Sequence, residues 1–304
     1  MELYFKGSSG DLLADRRYQM ALEMTEGGDF TAAADLLRQA IEMVPEWPPL
    51  YFHLGDALRL SGKKVKAVEA LREYLALDPE DKMGATIKLS LLGAHDAPDT
   101  LPEEYVRSLF DQYAPRFEKC LVENLAYHTP EIIAEKIRAV HPTPFENLLD
   151  LGCGTGLGAL QFKGQASRMV GVDIAPAMVE YAKTKNIYAE LHAETIESYL
   201  AGTNEKFDLV LAADVFVYIG ALDELFKHVT AHMNEGGIYC FSTQKIGDGY
   251  KDWILGDDHR YAHAKSYIER CAVNAGLKIL SCDDVDLRLD AGAFITGSVF
   301  VCEK

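Results

Sequence analysis

Residues 147–160, N-L-L-D-L-G-C-G-T-G-L-G-A-L, constrain the fold more than any other stretch. Leu148, Leu149 and Leu151 form an apolar run that ends in Gly152, Gly154, Gly156 and Gly158, each two residues from the next. A short apolar run cut off by glycine reads as a buried strand entering a tight turn. Glycine permits positive φ and, without a Cβ, lets a ligand come close to the backbone. A helix is expected to start near Gly156 with its free N–H groups facing the turn. Strand, turn and helix in this order suit a nucleotide-like ligand on the first βα turn of a doubly wound α/β sheet.

A second strand, R-M-V-G-V-D at 168–173, ends in an acid. A carboxylate at the tip of that strand can accept both ribose hydroxyls of an adenosine. Nicotinamide-binding turns share this feature, so Asp173 alone does not discriminate. Asp150, two residues before the first glycine, and the Gly-x-Gly-x-Gly spacing do. From residue 147 strand and helix alternate, as a parallel sheet with crossovers requires. Strands are expected at 148–152, 169–173, 188–192, 207–212 and 238–243. Helices are expected near 156–163, 177–185, 196–200 and 222–233, the last closed by Gly236-Gly237, and then at 264–275. Two final strands, 278–287 and 296–302, have no helix between them, which predicts an antiparallel edge pair. The acidic run 283–290 alternates with Val285, Leu287 and Leu289 and reads as an edge strand with charged outer faces.

D-L-G-C-G-T-G at 150–156 resembles the first motif of class I S-adenosylmethionine-dependent methyltransferases. The resemblance extends over about residues 102–304 and implies a Rossmann-like sheet that binds S-adenosylmethionine and releases S-adenosylhomocysteine. It implies that Asp150 lies near the cationic methionine end of the cofactor, on the turn of Gly152, Gly154 and Gly156, and that Asp173 takes the ribose. Ile174 and Met178 flank Asp173 and are candidates to line the adenine pocket. Glu194, in H-A-E-T after the third strand, resembles the family's third motif, which reads the adenine amino group. F-D-Q-Y-A-P-R-F-E at 110–118 resembles the segment before the sheet, whose aromatics close over cofactor and acceptor; here these are Tyr113 and Phe117. Many relatives have Tyr where this chain has Phe117. A-A-D-V-F-V-Y-I at 212–219 puts Asp214, a candidate cofactor-binding residue, and Tyr218 at the carboxyl end of the fourth strand. Enzymes that methylate planar amines of nucleic acid or glutamine carry Asn/Asp-Pro-Pro-Tyr here, and D-V-F-V disfavours that class.

Methyl transfer from a sulfonium is a direct displacement that needs alignment and a dry site. A base is needed only where the acceptor proton is hard to remove. Candidates for a base are His128, Tyr218, His259, Tyr261 and His263. Candidate acceptor-binding residues are Phe117, Tyr218, Arg260 and Tyr261, with Arg260 able to grip a carboxylate bidentately. His259 and His263 stand four apart, but Arg260 replaces the glutamate of H-E-x-x-H, and no metal is expected.

Residues 11–79 contain a 34-residue repeat. Aligning Pro45 with Pro79 sets Ala21 on Gly55, Met24 on Leu58, Ala33 on Ala67, Leu37 on Leu71 and Ala40 on Tyr74. This resembles the tetratricopeptide (TPR) repeat. Two units are too few to bury a continuous core, so further helices are expected to cap them, starting at 82–92. The predicted organisation is a leader at 1–10, with a degenerate protease site, outside the fold; TPR-like helices at 11–95; a linker and cap helices at 96–146; and the methyltransferase-like domain at 147–304. The fold class is therefore α/β, a Rossmann-like doubly wound sheet with an antiparallel C-terminal edge pair, preceded by an all-α TPR-like region.

At net charge −17, a nucleic-acid partner is not expected. No apolar run approaches the roughly 20 residues of a membrane span. Six cysteines without a C-x-x-C pair suit free thiols in a reducing cytoplasm. A small-molecule acceptor is expected, with a protein partner or self-association through the repeat helices also open. A rival reading is a module that recruits a protein through the repeats and holds the cofactor as sensor or scaffold.

Overall fold

Two units divide the chain, Met1–Leu109 and Phe110–Lys304, in a computed structural model that describes residues 7–125, 127–141, 144–247, 252–290 and 293–304. The division falls within the predicted linker and cap-helix segment.

The first unit is helical: α1 (Leu12–Glu26), α2 (Phe30–Met43), α3 (Pro48–Leu60), α4 (Lys64–Leu77) and α5 (Ala85–Leu91), followed by the start of α6 (Glu103–Tyr113). α2 and α4 are both 14 residues long and begin 34 residues apart, which is the spacing of the sequence repeat. Side chains at the aligned positions Ala33, Ala67, Leu37, Leu71, Ala40 and Tyr74 are all fully buried. At Gly55 a Cβ would lie 2.7 Å from Leu71 Cγ, so α3 and α4 approach closely where the first repeat has only Ala21. Asp11 caps α1 by accepting from the N–H of Leu13 and Ala14, and Asp29 caps α2 through Ala32. Ser8 and Ser9, part of the expected leader, both hydrogen-bond the Asp15 carboxylate of α1. Residues 1–6 of that leader lie outside the described residues.

The second unit begins with the end of α6. A 3-10 turn (Ala114–Arg116) follows at Pro115, then a π-helical segment (Lys119–Asn124) and α7 (Thr129–Val140), which carries Pro130 in its first turn. The sheet comprises β1 (Phe145–Leu151), β2 (Ala166–Asp173), β3 (Glu190–Ala193), β4 (Phe207–Ala212), β5 (Met233–Gln244), β8 (Lys278–Asp290) and β9 (Ala293–Glu303). Its order is β3-β2-β1-β4-β5-β9-β8. The first five strands pair in parallel, through α8 (Leu157–Leu160), α9 (Pro176–Lys183), α10 (Ile196–Gly202) and α11 (Asp223–Ala231). The expected terminal antiparallel pair forms at the edge of the sheet; within it, β9 lies between β5 and β8, antiparallel to both.

Alternation along the strands feeds two cores. Leu149, Leu151, Val210, Ala212, Tyr239 and Phe241 face one layer, with α11 and α12 (Lys265–Asn274). Leu148, Leu209, Leu211, Ile238 and Cys240 face the other, with α7 and Phe162. A sheet buried on both faces explains why its strands read as continuous apolar runs.

Two local expectations are corrected. Gly236-Gly237 does not end a helix: α11 stops at Ala231, and the glycines lie inside β5, where the register against β4 shifts between Phe207 and Leu209. The segment before α12, where no strand is expected from the sequence, forms a hairpin, β6 (Trp253–Leu255) and β7 (Tyr261–His263).

Candidate functional site

The chain leaves β1 toward β2 and leaves β4 toward β5, on opposite sides, so the carboxyl ends of β1 and β4 flank the topological switch point where such sheets place ligands. Gly152, Gly154 and Gly156 form the turn there, with φ of +62°, +52° and +92°. A Cβ on Gly152 would lie 2.5 Å from Val215 Cγ2, so this turn and the loop after β4 meet closely.

Asp173 closes β2 beside the turn and is 8% exposed. Its Oδ2 accepts the N–H of Gly154 at 2.8 Å, and its Oδ1 accepts the N–H of Ala175 at 2.9 Å. Each oxygen retains a further lone pair. Burial pushes the carboxyl up to about 6, against the pull of the two backbone N–H groups.

Asp150 is 1% exposed and turns under the glycines instead of opening on the crevice. Its Oδ2 accepts the Tyr188 hydroxyl at 2.7 Å and the Ala159 N–H of α8 at 3.2 Å. Burial raises it, too, to about 6. Here Asp150 braces the turn, and Tyr188, which sequence reasoning left as a strand residue, completes the brace and packs on Gly156. Alongside, Lys185 Nζ donates to Glu118 Oε1 at 2.6 Å.

An aromatic row covers the turn. Phe117 lies 3.6 Å from where a Gly154 Cβ would stand. Phe110 meets Phe117 and Tyr218 edge-on, with centroids 6.1 and 5.3 Å apart. Tyr113, Phe117 and Ile174 pack on a small cluster of Ala114, Ala175 and Met178, the last fully buried. The Arg116 guanidinium sits over the Tyr113 ring. Asp111 caps the start of α9 through the Ala177 N–H at 2.9 Å. Glu194 follows β3, half-buried, and accepts from Ser198 Oγ at 2.6 Å.

The far wall is built by β4, β5 and β8. Asp214 has φ +56°, a left-handed backbone that Asp tolerates better than most residues. Its N–H donates to Ser242 Oγ, and that hydroxyl donates back to Asp214 Oδ1. Arg288, 3% exposed, reaches toward Asp214 Oδ2 at 3.9 Å and donates to Gln244 Oε1 at 3.3 Å. Gln244 Nε2 in turn donates to Asp258, whose Oδ1 accepts the Arg260 N–H. The Arg260 guanidinium acts electrostatically on Tyr218 and Asp214. Buried Tyr127 also faces this group: burial raises its hydroxyl, Asp214 raises it further, and Arg288 opposes.

The other predicted residues are placed differently. His128 is exposed ahead of α7 while its neighbour Tyr127 turns inward. His259 sits in the β6–β7 turn at φ +59°. Tyr261 is 0% exposed and packs against Trp253 and Gly220, so it holds the hairpin and offers no surface to an acceptor. His263 is buried on β7, where Nε2 meets the carbonyls of Ile219 and Gly220 at 3.0 and 3.1 Å and burial lowers its pKa to about 4. A neutral ring spent on two carbonyls pins the loop after β4 and is closed to substrate. The helical spacing of His259 and His263 also fails, because β7 is a strand.

A family model described as a methyltransferase domain matches residues 148–237, the span from β1 into β5. The match identifies those residues as a methyltransferase domain. A ubiquinone biosynthesis O-methyltransferase of Bartonella quintana is 36% identical over 118 residues, which is 37% of this chain and 47% of that protein. The chain thus spans about half the length of this curated relative. In fold, the domain is similar to the 1,6-didemethyltoxoflavin-N1-methyltransferase of Burkholderia thailandensis, at TM-score 0.52 and 17% identity over 69% of this chain and 92% of that one. It is equally similar to the [4+2]-cyclase SpnF, at TM-score 0.52 and 14% identity over 68% and 97%. Since a cyclase shares the architecture, the architecture alone does not name a reaction. The crevice suits the cofactor on one observation: Asp173 is sunk at a β-strand tip beside a turn without side chains, with lone pairs left for a vicinal diol.

Proposed function

We propose that the chain transfers the methyl group of S-adenosylmethionine to an oxygen or nitrogen of a small-molecule acceptor by direct displacement. The observation that carries the proposal is Asp173 tied to Gly154 at the switch point. Bound there, the cofactor supplies an activated methyl on a sulfonium, and the protein supplies position and dryness. In this reading Asp173 accepts the ribose hydroxyls, the Gly152–Gly154–Gly156 backbone passes under the cofactor, and Glu194 or its neighbouring N–H groups meet the adenine. Asp150 sets the turn's shape through Tyr188 and Ala159. Tyr113, Phe110, Phe117 and Tyr218 keep water from the reacting centre. The name of the O-methyltransferase relative favours oxygen as the methylated atom.

We assign the helices of the first unit to tetratricopeptide-type repeats, on the 34-residue offset between α2 and α4, with recruitment of a protein or a second copy as their role. Free thiols at all six cysteines fit a reducing cytoplasm. Among the described residues no helix is long and apolar enough to cross a membrane.

Calorimetry with S-adenosylhomocysteine tests the cofactor assignment. Wild type should bind, and Asp173→Ala should lose about 2–4 kcal/mol, the worth of one or two charge-assisted hydrogen bonds. Undiminished binding by that variant refutes the role given to Asp173.

A further inference from the structure

We infer that the crevice takes an acceptor bearing a carboxylate, and that Arg288 holds it, with Gln244 and Arg260 alongside. The inference rests on the methyltransferase reading above and adds the substrate class.

Arg288 carries the argument. A guanidinium has five N–H donors and no acceptor. Among the described residues its polar partners are one amide oxygen, Gln244 Oε1 at 3.3 Å, and one carboxylate, Asp214 Oδ2 at 3.9 Å, beyond hydrogen-bond range. A charge this deep, at 3% exposure, is costly unless it is paired and bonded. Asp214 is held by reciprocal bonds to Ser242 on a left-handed backbone. A guanidinium with fewer hydrogen bonds than donors among the described residues, set over the carboxyl ends of β4 and β5, matches the planar oxygens of an incoming carboxylate.

The strand goes out of its way to aim this side chain. Arg288 lies on β8, at the edge of the sheet, where an arginine would ordinarily point to solvent. The β8–β9 register shifts between Asp286 and Arg288, and consecutive residues Leu287 and Arg288 are both buried as a result. A bulge is a common device for re-aiming a side chain. Here it turns the guanidinium over the carboxyl ends of β4 and β5.

Charge selects the ligand. Arg288 and Arg260 both act on Asp214, so two guanidiniums share one carboxylate and leave a single positive charge. Asp258, joined to Gln244, stands beside them. With Asp214 and Asp258 counted, the two guanidiniums are already balanced, so a monoanion adds one negative charge to the set and a phosphate dianion would add two.

The test uses the full chain saturated with S-adenosylhomocysteine. Benzoate, phenylacetate and octanoate are each titrated by calorimetry beside their own primary amides. At least one carboxylate should bind about tenfold or more tighter than its amide. Arg288→Gln should abolish that advantage and leave S-adenosylhomocysteine affinity unchanged. Arg288→Lys, which keeps the charge and loses the fork, should retain part of it. Cofactor binding without any carboxylate advantage in wild type, or an advantage that survives Arg288→Gln, overturns the inference alone. Failure of wild type to bind S-adenosylhomocysteine overturns the cofactor reading and this inference with it. If Arg288→Gln does not fold, the wild-type comparison and the lysine variant decide.

Discussion

Asp150 and Asp173 end neighbouring strands, and burial raises both carboxyls from near 4 to about 6. The sign of the consequence follows from linkage. Each group holds its proton more tightly folded than unfolded, so stability declines as pH rises from about 4 to about 6 and levels off above. Cofactor binding should run the other way, because an ionised Asp173 accepts a diol better than a protonated one. Affinity for S-adenosylhomocysteine is expected to be flat above about pH 7 and to weaken as pH falls through about 6, approaching tenfold per pH unit. Asp173→Asn should flatten that profile. Constant wild-type affinity down to about pH 5 would show that no such group is linked to binding. The glycines, Asp150 and Asp173 were legible because their spacing is local. Tyr188, Gln244 and Arg288 were not, because strand pairing and a bulge bring them in from distant sequence. The histidines misled for a related reason: spacing counted along a helix means nothing on β7.

At the scale of elements, the end of the sheet depends on one glycine. A Cβ on Gly297 would lie 2.2 Å from Leu287 Cδ1 and 2.4 Å from the Thr243 carbonyl oxygen. A side chain can rotate away, but a β5 carbonyl cannot. Gly297→Ala is therefore expected to cost about 3 kcal/mol, from overpacking. In a unit of this size that lowers Tm by roughly 5–10 °C, measurable by calorimetry. A change of less than about a degree would contradict the tight fit of Leu287 on β9. Most elements could be read from sequence, β4 to the residue, since buried parallel strands are unbroken apolar runs. The β6–β7 hairpin could not, because its strands are three residues long. The alternation that made 283–290 an edge strand held through Leu287, and the bulge then turned Arg288 inward as well.

For the whole molecule, the two units have separate apolar cores, one among α1–α5 and the others on the faces of the sheet. A variant lacking residues 11–92 should keep S-adenosylhomocysteine affinity within about threefold, since every residue assigned to the cofactor lies in the second unit. A loss of binding by a folded variant would show that the helices contribute to the cofactor site. Sequence reasoning set residues 96–146 apart as linker and cap helices, and the structural division falls within that segment, inside α6. Where β9 sits has a further consequence, for the order of assembly. β8 is made before β9 yet pairs with the sheet only through it, so β8 has no seat until β9 has inserted beside β5. A nascent chain would complete the glycine turn and Asp173 first and position Arg288 last. It would be able to clasp its methyl donor before it could accept anything to methylate.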